Sequence, residues 1–379
     1  MSNPFSKLLG FGKSGLWHQK VSEVVGIDFG TSSVKAVQLK KDKGRILLET
    51  YGEIALGPYN NLAVSQVSNL GAEKMSQLLA DLFNEANITT RVGSLAIPLR
   101  SSLVNMMSLP DLAADKLEKI IPIEARKYIP VPISEVELDW WIIPKKIFNQ
   151  AGEEHRRTVE VLVVAIHKDT IKQYEEIVKL AEFQPAFFEI ETFSAIRAVF
   201  AGEMQAVVML DIGAATSKLS IIDYGVVRQS HTIGKGSQDI TLAISRSLGV
   251  DFAKAEEIKR RVGLVESVGL PSTATGEDAQ IRNTVSTIVE YIFSEANKVI
   301  SAYQNRERRV VTKVVIIGGG GLLKGLLDLA KTNFEATVVL GEAFAKVEYP
   351  AFLDKVLKET GPGFAVATGL ALRHLEELG

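Results

Sequence analysis

Short apolar runs, broken by turns rich in Gly, Asp and Ser, alternate along the chain with stretches whose apolar residues recur at helical spacing. The first clear unit is Val24 to Leu39. One apolar run ends on Asp28, Gly30-Thr31-Ser32-Ser33 makes a turn, and a second run resumes at Val34. That pattern predicts strand, tight turn, strand, with a carboxylate at the mouth of the hairpin. A Rossmann or Walker loop would open into a helix instead. A second copy stands at Asp211 to Ile222. Aligned on the aspartates, Gly30 matches Gly213, Ser33 matches Thr216 and Lys35 matches Lys218. A repeat so far apart predicts two related lobes facing each other. Backbone N–H groups and hydroxyls at such turns hold anions, and two carboxylates hold a hydrated magnesium. A magnesium-bound phosphate chain is the natural occupant.

A third element follows the same logic. The apolar run Val314 to Ile317 enters Gly318-Gly319-Gly320-Gly321 and then Leu322 to Leu327. Strand, glycine turn and helix start suit close approach of a flat ligand or a phosphate. A plain βα turn also uses glycine, but four in a row exceed what it needs.

Between these landmarks the pattern predicts a strand at Ile46 to Ala55, a helix at Ala72 to Ala86 and a strand at Val92 to Ile97. From Arg100 to Phe183 the character changes. A strand at Ser102 to Leu109, a helix at Leu112 to Lys127, strands at Glu137 to Pro144 and Val159 to Ile166, and a helix at Lys168 to Ala181 read as an inserted subdomain. Pro122 should kink or end its helix. Trp140 and Trp141 cannot face the same side of a strand, which leaves one as an outward binding anchor or as a ring covered by a neighbouring loop. Lys145 to Arg157 reads as a solvated hairpin tip. Further on come a helix from Thr192 as N-cap, a helix running to Leu248, and a helix at Asp251 to Arg261. A long helix at Ile281 to Asn305, a strand at Ala336 to Leu340 and a small-residue helix opened by Gly361 complete the chain.

With 379 residues, two lobes are the expected organisation. The net charge of −2 gives no reason to expect nucleic acid as a partner. The chain has no cysteine, which excludes disulfides and zinc-thiolate sites, and its five histidines show no metal-ligand spacing. No apolar stretch is long enough to span a bilayer. Residues 1–20 lack a secretory core; their apolar residues among lysines suit a short interfacial anchor, but glycines at 10, 12 and 15 make a poor helix, so they read as a flexible or partner-docked tail.

The two Asp-x-Gly hairpins and the late glycine turn resemble the actin, sugar-kinase and heat-shock chaperone ATPase superfamily. Within it, Gly26-Ile27-Asp28-Phe29-Gly30-Thr31-Ser32-Ser33, Glu124-Ala125-Arg126-Lys127-Tyr128-Ile129-Pro130 and Ala255-Glu256-Glu257-Ile258-Lys259 resemble the type IV pilus assembly PilM family, a relative of FtsA. The resemblance covers about Val21 to Leu375 and implies an α/β, two-lobed actin-like ATPase fold of duplicated ribonuclease-H-like domains with an inserted subdomain. The implied division is lobe one at 21–100, 184–206 and 355–379, the insert at 101–183, and lobe two at 207–240 and 310–354 with its smaller part at 241–309.

The resemblance implies ATP and Mg2+ as ligands. Asp28 and Asp211 would hold the metal through water. Gly30, Thr31, Ser32, Ser33 and Lys35 would meet the phosphates from one side, and Gly213, Ala214, Ala215 and Thr216 from the other. Gly234 lies at a turn where the family carries glycines, which Lys235 interrupts here. Glu256 and Lys259, one turn apart, would flank adenine and ribose, or form a surface salt bridge. Gly318, Gly319, Gly320 and Leu323 would face the adenosine. No general base is identified; Glu189 or Glu191 would orient a water, or would serve as helix-start charge favoured by the dipole. Three functions follow. One is a cytoplasmic scaffold gripping the cytoplasmic N-terminal tail of a PilN-type inner-membrane protein, with slow hydrolysis at best and membrane contact only through partners. It leaves room for other platform or motor proteins and for self-association. Another is an FtsA-type filament, which sedimentation with ATP would show. The last is a small-molecule kinase, which a coupled ADP assay would show.

Overall fold

The computed structural model describes residues 22–144, 158–265 and 276–378. The predicted hairpin tip at 145–157, most of the loop expected at 264–278, and residues 1–20 lie outside them.

The chain opens with β1 (Glu23–Phe29), β2 (Ser33–Asp42), β3 (Arg45–Ala55), α1 (Ala72–Glu85) and β4 (Val92–Ile97). It then builds a separate unit from β5 (Ser102–Pro110), α2 (Ala114–Ala125), β6 (Val136–Ile142), β7 (Thr158–His167) and α3 (Lys168–Leu180), before β8 (Gln184–Ile190) and α4 (Glu191–Val199). The second half runs β9 (Ala206–Ile212), β10 (Ser217–Asp223), β11 (Val226–Ile233), α5 (Ser237–Leu248), α6 (Phe252–Val262), α7 (Gly276–Glu307) and β12 (Val311–Ile317). It closes with α8 (Leu326–Asn333), β13 (Thr337–Leu340), α9 (Asp354–Thr360) and α10 (Ala365–Glu377).

Two five-stranded sheets repeat one design. The first has the order β3-β2-β1-β4-β8 and the second β11-β10-β9-β12-β13. In each, three antiparallel strands are followed by two parallel ones, and the inner hairpin pairs Asp28 with Lys35 in one sheet and Asp211 with Lys218 in the other. The sequence repeat is therefore a repeat of topology and register. β1 and β9 are central and nearly all apolar, as strands buried on both faces must be. Met75, Leu78, Leu79, Leu82 and Phe83 of α1 cover one face of the first sheet together with α3. A core running through α4 and α10 is shared by both sheets, joining Val24 and Val37 to Val207, Met209 and Val315. Helices α5 to α8 cover the other face of the second sheet.

The third sheet, β5-β7-β6, carries α2 on one face, and its other face meets Val226 of β11 through Ile143 and Leu162. Both faces being covered explains the tryptophans. Trp140 packs towards α2 and Trp141 towards β11, each partly buried, so neither stands free of the fold. Pro122 neither ends nor visibly breaks α2, which runs on to Ala125. Glu118, whose carbonyl loses its amide partner, is exposed and can be solvated. The N-cap of α4 is Ile190, not Thr192, which lies buried inside the helix. The glycine turn after β12 leads into a 3-10 turn at Gly319–Leu322, and α8 begins only after Gly325, where φ is +80°.

Candidate functional site

The mouths of both hairpins, the glycine turn after β12 and the start of α10 open onto one cleft of about 680 Å³. It is lined by Asp28, Gly30, Thr31, Ser32, Ser33 and Lys35 from the first sheet, and by Asp211, Gly213, Ala214, Thr216 and Lys218 from the second. Gly318, Gly319, Gly320 and Leu323 form a further wall, and Glu256 and Lys259 reach it from α6. Gly318 has φ +84°, and a Cβ there would lie 2.3 Å from Asp211 Oδ1. The backbone itself thus makes contact with the acid, which only glycine permits.

Each hairpin lysine is committed to carboxylates. Lys35 Nζ donates to Ser33 Oγ at 2.9 Å and pairs with Glu53 at 3.0 Å. Lys218 Nζ sits 3.2 Å from Asp211 and 2.7 Å from Glu191. Burial pushes the Asp28 carboxyl up to about 7 against the pull of Lys35. That is an acid whose ionised form a nearby cation would restore. On the second lobe, Glu256 pairs with Lys259 at 2.6 Å and accepts from Thr241 Oγ1 at 2.6 Å. Burial alone would raise the Glu256 carboxyl, but Lys259, Thr241 and Arg260 hold it below the usual range.

The two candidate acids separate. Glu191, the first residue of α4, lines the cleft, its Oε1 accepting the Leu99 N–H at 2.6 Å. Glu189 does not line it: it is held by Arg197 at 2.7 Å and Arg373 at 3.1 Å in a buried network behind α4. Burial opposes its charge, yet Arg197 and Arg373 keep the carboxyl below its usual range. Ala215 and Gly234 also lie off the lining. The glycine that the turn needs is Gly236, where a Cβ would meet the Ala214 carbonyl oxygen at 2.4 Å. Sequence reasoning missed Arg260, Ser65 and Lys218 as lining residues. Only Lys218 carried a signal, its match to Lys35. Among the described residues no three His, Asp or Glu side chains converge to hold an ion on their own.

The family model for type IV pilus assembly protein PilM matches residues 26–375. Among curated proteins, the cell division protein FtsA of Helicobacter pylori (strain ATCC 700392 / 26695) is 26% identical over 235 residues, 57% of this chain and 47% of that protein. FtsA of Pseudomonas aeruginosa is 25% identical over 169 residues, 41% of this chain and 40% of that protein. The chain spans about half the length of the curated relatives it matches, or less. Among solved structures, a PilM-PilN type IV pilus biogenesis complex superposes with a TM-score of 0.75 and 22% identity, covering 94% of this chain and 99% of that one. MreB 5 of Spiroplasma citri bound to AMPPNP superposes with a TM-score of 0.51 and 13% identity, covering 94% and 98%. The fold is the two-lobed actin-like ATPase fold.

Proposed function

The chain belongs to the type IV pilus assembly protein PilM family, and from that premise we propose that it is an ATP-binding scaffold of a type IV pilus machine. The observation that carries the nucleotide half is the convergence of two Asp-x-Gly hairpins and a glycine turn on one cleft. Asp28 and Asp211 would hold Mg2+ through its waters, since no protein-only cage exists among the described residues. The turns at Gly30 to Ser33 and Gly213 to Thr216 would receive the phosphates, and Glu256 with Lys259 the nucleoside. Magnesium, when bound, supplies charge neutralisation of the phosphates. Glu191 has one oxygen on the Leu99 amide and the other on Lys218, so it is poorly placed to act as a base. Hydrolysis is slow in this reading, and the nucleotide chiefly sets the angle between the lobes around α4 and α10.

For the partner half, the superposable PilM-PilN complex supports docking of a PilN-type cytoplasmic tail. We place that docking between the first sheet and the β5-β7-β6 unit, the two acting as lobe one and its insert. No helix among the described residues is long and apolar enough to cross a membrane; attachment at the inner membrane would run through the partner. The likeness to FtsA supports a second reading, an ATP-dependent filament, which sedimentation with Mg-ATP separates from the first. Calorimetric titration with Mg-ATP tests the site. Asp28→Ala and Asp211→Ala should each weaken binding roughly tenfold or more. Unchanged affinity in both would remove the two-hairpin site.

A further inference from the structure

Residues 57–71 follow β3 and belong by connectivity to the first sheet, yet helices of the second lobe hold them. The Val67 N–H donates to Gln238 Oε1 of α5 at 2.6 Å. Arg260 of α6 donates through Nη2 to Ser65 Oγ at 2.9 Å. The same guanidinium donates through Nε to Glu256 Oε1 at 2.8 Å. At its inner end the segment is fastened to the first hairpin, the Ser68 N–H donating to the Thr31 carbonyl oxygen at 3.0 Å. The segment thus runs from the phosphate-side turn of one lobe to the nucleoside-side carboxylate of the other. Ser65, Arg260 and Glu256 all line the cleft. Ser65 holds φ +69° without being a glycine, a conformation that the surrounding contacts must maintain.

We propose that residues 57–71 are a strap across the nucleotide cleft, and that Arg260 is the positioning residue that closes it by holding Ser65 and Glu256 together. The core shared through α4 and α10 joins the lobes at one wall of the cleft. The strap joins them at another: Tyr59 and Leu70 root it in the first lobe's core, while Ser65 and Val67 meet the second lobe's helices through the two hydrogen bonds described above. A connection of that kind opens far more readily than a packed helix pair, and its opening governs exit of a purine nucleoside triphosphate. The strap sets how long nucleotide stays, while the hairpins set whether it binds. This inference rests on the nucleotide reading above.

The test is stopped-flow displacement of a fluorescent mant-ATP by excess unlabelled ATP, with magnesium, on the full chain. Ser65→Ala with Gln238→Ala removes both acceptors and leaves Arg260 and Glu256 in place. Release should accelerate roughly tenfold or more, the effect of losing one or two hydrogen bonds, with association changed less than about threefold. Arg260→Lys reaches Ser65 or Glu256 but not both, and should release at an intermediate rate. A general loss of structure would slow association as well and would not follow this order. Mant-ATP binding with wild-type release in both variants would overturn the strap alone. No mant-ATP binding to the unaltered chain would overturn the nucleotide reading and the strap with it.

Discussion

Glu191 and Lys218 meet at 2.7 Å across the cleft, joining the start of α4 to the second hairpin. Lys218 also lies 3.2 Å from Asp211, so one ammonium serves two acids, one at the start of α4 and one at the end of β9. Burial would lower its pKa, but Glu191 and Asp211 outweigh that and raise it. The pair sits where the lobes meet, and changes there should be felt by both.

Replacing Lys218 with Met leaves both carboxylates without their shared cation. Urea denaturation without nucleotide should show a loss of about 3 kcal/mol, as for other buried pairs broken on one side. Adding Glu191→Gln to Lys218→Met should recover part of that loss. Strictly additive effects would show that the two side chains do not act as a pair.

The packing of α10 on α4 makes a second demand. A Cβ on Gly369 would lie 1.8 Å from the Ser194 carbonyl oxygen, so Gly369→Ala must push the helices apart. The expected cost is about 2–3 kcal/mol, read from a denaturation midpoint. Gly71→Ala, where nothing lies within 4 Å of the added carbon, should fall within about 0.5 kcal/mol of wild type.

Features carried by local pattern were legible in the sequence. Both hairpins were, because an apolar run ending on Asp-x-Gly leaves few alternatives, and the Lys35–Lys218 match already contained the register. Features set by distant partners were not. Glu189 looks like a cleft acid until Arg373, distant in sequence, is seen to hold it. One of Trp140 and Trp141 looks outward until each is found packed, partly buried, on a different face of their sheet. The Ser65–Arg260 contact joins residues from different lobes, and no spacing announces it. Thr192 lost the N-cap because Ile190 ends β8 where α4 begins, leaving no loop residue for the role.

His374 makes stability depend on pH. It is buried in α10, 3.3 Å from Ser94 Oγ and edge-on to Phe187, and burial lowers its pKa to about 4. The unfolded chain, with its histidine near 6.5, takes up the proton first as pH falls. This contribution is therefore complete above about pH 6.5 and is lost as pH drops towards 4. Between pH 7.5 and 5.0 the wild type should lose about 2 kcal/mol more than His374→Gln. Parallel pH profiles of the two proteins would contradict this.

The β5-β7-β6 unit touches the second lobe through an ion pair between Glu160 of β7 and Arg228 of β11, beside Leu162 and Val226. Exchanging the two charges, Glu160→Arg with Arg228→Glu, should restore much of the stability that either single change removes. A double-mutant cycle should give a coupling of about 1 kcal/mol or more.

The most direct test of the scaffold reading is calorimetric titration of the full chain with a synthetic cytoplasmic N-terminal peptide of a PilN-type protein, with Mg-ATP present. Micromolar or tighter binding is expected, about −8 kcal/mol. No heat from several such peptides, under conditions where Mg-ATP itself binds, would contradict it and move the assignment to the filament.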